Sequence, residues 1–146
     1  MKLKSMTVAG AVAALAVALG GCAGTPLASP QSDALAKLMR PVPEKAVIYV
    51  FRNEPASAPW RIHVTLDQKD MGATAANTYF RWEVTPGQHI LVSETENRAP
   101  LVVDAEAGRI YYVWQEINAG LFQPRSELHA VDRETAEIVL RDCYLL

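Results

Sequence analysis

Cysteine is scarce in this chain: two in 146 residues, Cys22 and Cys143. That is too few for the disulfide framework that holds small exported domains together. Basic charge is not in excess either. Lysine and arginine number 14 against 16 acids, so no cationic stripe exists for nucleic acid and such a partner is not expected. No apolar run reaches the roughly 20 residues that a bilayer-spanning helix needs; the longest, residues 6–19, stops short. Glycines form no phosphate-cradling loop. Ser57, Ser93 and Ser126 lack the glycine-flanked elbow that exposes a hydrolytic nucleophile, and no His-Glu-x-x-His spacing is present to gather a zinc ion. These absences point away from an enzyme: catalytic residues none, metal none, cofactors none.

What the chain does contain begins at its amino end. Lys2 and Lys4 precede an alanine- and valine-rich run that closes on small residues, the pattern of a secretory signal peptide over residues 1–21. The closing residues Leu19-Gly20-Gly21-Cys22 resemble the lipobox of bacterial lipoproteins. That resemblance implies cleavage between Gly21 and Cys22 and lipid attachment at the Cys22 thiol. Ala23, where an aspartate would imply inner-membrane retention, implies an outer-membrane, lipid-anchored protein facing the periplasm. Loss of residues 1–21 leaves 12 basic against 16 acidic side chains, a net charge of −4. With Cys22 given to lipid, Cys143 has no intramolecular partner; it is read either as a small buried apolar group or as half of an intermolecular disulfide.

Residues 22–44 read as a lipidated N-terminus and flexible tether, rich in Ala, Gly, Thr, Pro and Ser, with Ser32 able to cap a short helix as far as Arg40. Residues 45–146 read as one β-sandwich domain. Residues 46–52 are apolar on both faces, as in a strand buried in the middle of a sandwich. Ile62, Val64 and Leu66 alternate with polar residues, as do Phe80, Trp82 and Val84, which is the two-residue period of a half-buried strand. Gln68-Lys69-Asp70 reads as a turn, residues 73–76 as a link, and Thr85-Pro86-Gly87 as a tight turn. Further strands are expected over residues 88–94, 100–104, 109–117 and, at an edge, 127–131. Asp132 caps a final helix with Ala136, Ile138, Val139 and Cys143 at helical spacing. The fold class is therefore all-β, an antiparallel sandwich with one C-terminal α-helix.

The order Ala46-Val47-Ile48-Tyr49-Val50-Phe51-Arg52, Val64-Thr65-Leu66-Asp67, Asn77-Thr78-Tyr79-Phe80, Thr85-Pro86-Gly87-Gln88-His89 and Ala107-Gly108-Arg109-Ile110-Tyr111-Tyr112 resembles the family catalogued as domain of unknown function 2846, small bacterial envelope proteins. The central segment is also similar to PEGA modules, small β-domains of bacterial surface proteins. The resemblance implies fold and envelope location and transfers no catalytic residue. From the residues themselves, the metal or acid–base candidates are His63, His89 and His129 with Asp67, Glu83, Glu94 and Asp104. Tyr79, Arg81, Tyr111 and Tyr112 are the candidates for contact with a ligand or partner, because aromatic rings give large contact area at small entropic cost. The function expected is a non-enzymatic binding or assembly module with a membrane anchor and an envelope protein partner. The alternatives are an inhibitor of a periplasmic or host hydrolase, using residues 53–59 or 96–100 as its loop, and a hydrolase acting on cell wall or lipid.

Overall fold

The structure, a computed structural model, describes residues 26–55 and 59–146. The elements run α1 (Pro30–Ala36), β1 (Ala46–Phe51), β2 (Ile62–Leu66), β3 (Lys69–Thr74), β4 (Thr78–Val84), β5 (Gly87–Glu94), β6 (Arg98–Ala105), β7 (Ile110–Asn118), β8 (Arg125–Val131), α2 (Arg133–Leu140) and β9 (Tyr144–Leu145). Two sheets form. One has the order β8-β7-β1-β4-β9, the other β3-β2-β5-β6.

The sandwich expected from the strand pattern is present, but only the four-stranded sheet is wholly antiparallel. In the five-stranded sheet β1 lies parallel to β7, and β9 parallel to β4. Strand β1 is the reason. All six of its residues are buried, so it needs cover on both faces, and a strand covered on both sides tolerates a parallel neighbour. Ala46, Ile48 and Val50 meet Val64, Leu66, Phe80, Trp82 and Val84 between the sheets. Val47, Tyr49 and Phe51 face the other way, into a second cluster with Ala36 and Met39 from the amino-terminal segment and Ala136, Leu140 and Cys143 near the carboxyl end. The molecule thus has three layers, with helical segments, the mixed sheet and the antiparallel sheet in that order.

Several turns differ from their sequence reading. Chain reversal after β2 occurs at Asp67 and Gln68, with φ of 51° and 69°, not at Gln68-Lys69-Asp70. Two consecutive positive φ values mark the two-residue hairpin turn whose twist suits paired strands. Lys69 and Asp70 of that turn and residues 73–74 of the expected link belong instead to β3, which pairs Leu66 with Lys69 and Ile62 with Thr74, while residues 75–76 do form a link. Thr85-Pro86-Gly87 is a turn, with Gly87 at φ 137°, but it passes the chain from one sheet to the other instead of closing a hairpin.

At the amino end, α1 is capped by Ser29, whose side chain accepts from the Ser32 N–H at 3.1 Å. Ser32 is therefore inside the helix and not its cap. Within residues 22–44, the part described is packed on the domain rather than free: the Ala28 N–H donates to Leu145 O at 2.8 Å, and Tyr49 Oη donates to Ala36 O at 2.6 Å. At the carboxyl end, Asp132 caps α2 through the Thr135 N–H at 2.8 Å. The buried side of α2 is Ala136 and Leu140; Ile138 faces solvent, 60 % exposed. Cys143 is buried, its thiol donating to Arg52 O at 3.2 Å, and burial pushes its pKa up to about 12. A thiol so placed serves as core, which removes the intermolecular disulfide. Among the described residues no helix is long and apolar enough to cross a membrane.

Candidate functional site

Five buried polar residues, Arg52, Thr74, Ser93, Gln115 and Ser126, gather at the end of the sandwich where β1 and β7 finish and β2 begins. Arg52, one residue past β1, is fully buried. Its Nε donates to both carboxylate oxygens of Glu54, at 3.1 and 3.0 Å, and its Nη1 to the carbonyls of Trp60 and Thr74, each at 3.0 Å. From there a chain of side-chain bonds crosses the core. Thr74 Oγ1 donates to Gln115 Oε1 at 2.6 Å, Gln115 Nε2 to Ser93 Oγ at 2.6 Å, and Ser93 Oγ to Ser126 Oγ at 2.7 Å. Thr74, Gln115, Ser93 and Ser126 have no exposed surface. Ser93 and Ser126, weighed above as nucleophiles, thus join the two sheets and face no substrate. Ser57 lies outside the described residues.

Above this network opens a cleft of about 430 Å³ lined by Glu54, Trp60, Leu121 and Phe122 among others. Leu121 is 80 % exposed and Phe122 85 %. The loop that carries them, residues 119–124, is held from below. Its Leu121 N–H donates to Glu96 Oε2 at 3.0 Å, and Asn97 bonds both the N–H and the C=O of Ser126 at its far stem. A Cβ on Gly120 would fall 1.8 Å from Gln123 O, so the loop backbone closes on itself there as only glycine allows. Two large apolar side chains are therefore presented to solvent on a fixed backbone. Sequence reasoning passed over them; the signal available was an apolar pair inside a Gly- and Pro-flanked loop, where polar turn residues are the norm. Residues 96–100, a candidate inhibitory loop, are instead a tight turn running into β6, while part of residues 53–59 lies outside the described residues.

The aromatic candidates are mostly core. Tyr79 is fully buried, stacked on Tyr49 with centroids 6.0 Å apart, and donates to Asp33 Oδ1 at 3.0 Å. Its pKa is raised by burial and by the adjacent Asp33 carboxylate. Burial works against the charged form of Asp33, yet bonds from Lys37, the Leu145 N–H and Tyr79 bring its pKa below the usual value. Tyr112 stacks on the other side of Tyr49 at 5.5 Å and reaches Met39 Sδ at 3.6 Å. Tyr111 points into the opposite layer and accepts from the Glu106 N–H at 3.0 Å. The four are not one surface: only half-buried Arg81, paired with Glu83 at 2.8 Å, borders a groove, about 460 Å³ between α1 and the carboxyl terminus. Gly21 and Cys22 lie outside the described residues.

The histidines do not converge. His63 faces solvent beside Asp70 at 3.1 Å, whereas His89 is buried on the inner face of the same sheet. Of the acids named with them, Glu94 pairs with Arg98 and Asp104 accepts from Gln88. His89 Nδ1 lies 2.7 Å from Asp67 Oδ2 and Nε2 2.7 Å from Thr85 O. Both partners are acceptors, so the ring donates twice and is an imidazolium. Burial opposes that charge, but the bonds to Thr85 O and Asp67 outweigh it and raise the pKa above 6.5. Asp67 is lowered from 3.8 by the Ile90 N–H and then by His89. The pair locks the β2 turn to the Pro-Gly turn.

Stability from His89 is full below about pH 6.5 and falls as pH rises through its raised pKa; that from Asp67 is full above about pH 4 and falls as pH drops through its lowered one. Wild type should therefore lose stability relative to His89→Gln between pH 5.5 and 8.5, by on the order of 0.5–1 kcal/mol. Urea midpoints at the two pH values check this, and parallel pH dependence in the two proteins counts against the imidazolium.

His129, on β8, stands instead with two acids the sequence did not single out: Nε2 is 2.9 Å from Glu116 Oε2 and 3.7 Å from Glu127 Oε2. This is the cluster of described residues able to hold a metal ion.

A sequence model for "Protein of unknown function (DUF2846)" matches residues 43–127, more than half of the chain. The chain belongs to the DUF2846 family. The matched segment runs from just before β1 into β8 and leaves out α2 and β9. It contains Arg52, Asp67, His89, Gln115 and the loop bearing Leu121 and Phe122. An uncharacterized protein of Haemophilus influenzae is 26% identical over 135 residues, covering 90% of this chain and 80% of its own length. The Asp67–His89 pair also explains the spacing of two family-like segments: Val64-Thr65-Leu66-Asp67 and Pro86-Gly87-Gln88-His89 are the two sides of one bonded contact.

Proposed function

We propose that this DUF2846 domain is a lipid-anchored, non-enzymatic binding module of the bacterial envelope, whose cleft beside Trp60, Leu121 and Phe122 docks an apolar segment of a protein partner at the outer membrane. The observation that carries it is the loop of residues 119–124, where Leu121 and Phe122 are 80 % and 85 % exposed on a backbone held by Glu96 and Asn97. A fixed backbone spares the partner the entropy of ordering the loop, so apolar contact there translates into affinity. The anchor rests on the order basic end, apolar run and Leu19-Gly20-Gly21-Cys22. Because Ala28 is already bonded to Leu145, about six residues separate Cys22 from the domain, a reach of at most roughly 20 Å. A domain kept so near the bilayer meets partners at the membrane surface.

The same presented loop is what the inhibitor reading requires, and the identity of the partner separates the two. A photo-crosslinking residue placed at position 60 should capture a discrete protein in cells, and Leu121→Asp with Phe122→Asp should cut the yield at least tenfold, because buried apolar anchors dominate binding energy. Cys22→Ala should release the protein from membranes. Equal capture from a residue placed at position 102, on the far sheet, or no effect of the aspartates, overturns the cleft as the docking site. A captured hydrolase with reduced activity supports inhibition, and a structural envelope protein supports assembly.

A further inference from the structure

The geometry points to a divalent transition-metal site, zinc in the first instance, on the outer face of β7 and β8, with His129, Glu116 and Glu127 as ligands. In the antiparallel register Trp114 is opposite His129 and Glu116 is opposite Glu127. Residues two apart on a strand share a face, so all four side chains rise from the same side, the side that α2 covers only farther along, at Tyr112 and Val131. The donor atoms of His129, Glu116 and Glu127 lie within 4.8 Å of one another.

A tetrahedral zinc site with bonds of about 2.0–2.2 Å places its ligand atoms roughly 3.3 Å apart. The separations of 2.9 and 3.7 Å from His129 Nε2 to the two carboxylates bracket that value, and small rotations of the glutamates would close the set around an ion. The imidazole is already aimed. Its ring lies against Trp114 with centroids 5.5 Å apart, and Trp114 is itself fixed by a 3.0 Å bond from Nε1 to Asn53 Oδ1.

The charges favour an ion as well. Two glutamates directly opposite across a ladder repel, and among the described residues neither has a lysine or arginine within 4 Å; His129 is their shared neighbour. A dication would neutralise the pair, taking the Nε2 lone pair of the neutral imidazole tautomer that carries its proton on Nδ1. With all three groups partly exposed, water can fill the remaining position, as one nitrogen and two oxygen donors suit Zn²⁺ and its neighbours in the first transition row.

Occupancy would also reach the apolar loop. Glu116 and Glu127 stand on the two stems of the segment that presents Leu121 and Phe122, so an ion between them clips its base.

The full chain, purified in detergent and stripped of metal, should bind one Zn²⁺ per protein by calorimetry. Co²⁺ should give the intense visible absorption of a tetrahedral centre. Loss of an outer partner costs a metal site roughly 10–100-fold in affinity, and Glu116→Gln with Glu127→Gln, or His129→Gln, should cost more, with the circular dichroism spectrum unchanged. His63→Gln should bind as wild type does. Absence of zinc binding, unchanged affinity in the ligand variants, loss of binding in His63→Gln, or a weak octahedral cobalt spectrum would each overturn the site.

Discussion

Replacing Arg52 by alanine should lower the unfolding free energy by about 3–5 kcal/mol. The guanidinium is fully buried and holds three groups at once: the Glu54 carboxylate and the carbonyls of Trp60 and Thr74. Its loss takes the donors from two carbonyls, removes the charge that faces Glu54 and empties the volume that its stem fills. Glu54 retains some exposure, 16 %, and can turn toward water, so Glu54→Gln should cost less, about 1 kcal/mol. Arg52→Lys should recover only part of the loss, because a single ammonium cannot reproduce the planar fork that reaches Glu54 through one nitrogen and the carbonyls through another. Denaturant midpoints of the three variants, at constant slope, measure these differences. An alanine variant within 1 kcal/mol of wild type would mean that Arg52 does not hold this end of the sandwich together. The effect should extend to the cleft, since Trp60 and Glu54 line it and both are bonded to the same side chain.

Gln115→Leu should cost about 2–4 kcal/mol even though it exchanges a polar group for an apolar one of similar size in the core. The amide, on β7, serves Thr74 on β3 and Ser93 on β5 of the facing sheet, and each buried hydroxyl left without its partner costs roughly 1–3 kcal/mol. Thr74 Oγ1 also reaches Ile62 O at 3.2 Å and so has somewhere to turn, which places the estimate below the sum of two full penalties. The discriminating result is the combination. Thr74→Val, Gln115→Leu and Ser93→Ala together should be less damaging than Gln115→Leu alone, because both partners of the amide go with it and only the Ser126 hydroxyl loses a bond, with Thr95 Oγ1 3.5 Å away to turn to. Chemical denaturation of the single and triple variants checks it; additive losses would show that the polar chain is a set of independent contacts.

Much of the sandwich was legible because its causes are local. Ile62, Val64 and Leu66 and, separately, Phe80, Trp82 and Val84 announced an inward face by alternation alone, and these faces do meet between the sheets. The doubly apolar β1 announced a strand with cover on both sides. Asp132 announced its helix because a cap acts within one turn. What failed were the features set by distant parts of the chain. Gln68 adopts a left-handed backbone that its own preferences disfavour, and the hairpin it closes was therefore displaced by a residue. Strand β9 has two residues and no pattern; it exists because the Tyr144 N–H donates to Asn77 O and the Leu146 N–H to Tyr79 O.

The candidate site divides in the same way. Tyr79 and Tyr112 looked like contact residues because a phenol needs a polar partner, and nothing in their neighbourhood revealed that Asp33 and Met39, from a segment read as tether, supply it. His129 carried no metal-like spacing because Glu116 lies across the strand pair, 13 residues away in the chain, while Glu127 sits two residues along the same strand.

The amino-acid order by itself determined most of the strands, the C-terminal helix and the inward faces, since backbone period, capping and turn chemistry act over a few residues. Only the tertiary structure decided that β1 and β7 run parallel, that Arg52 and Gln115 anchor a polar chain through the core, that His89 belongs to a turn clamp, and that Leu121 and Phe122 stand above a cleft. Each depends on strand register and on the desolvation of groups brought together from far apart, and neither quantity is a property of any one stretch of sequence.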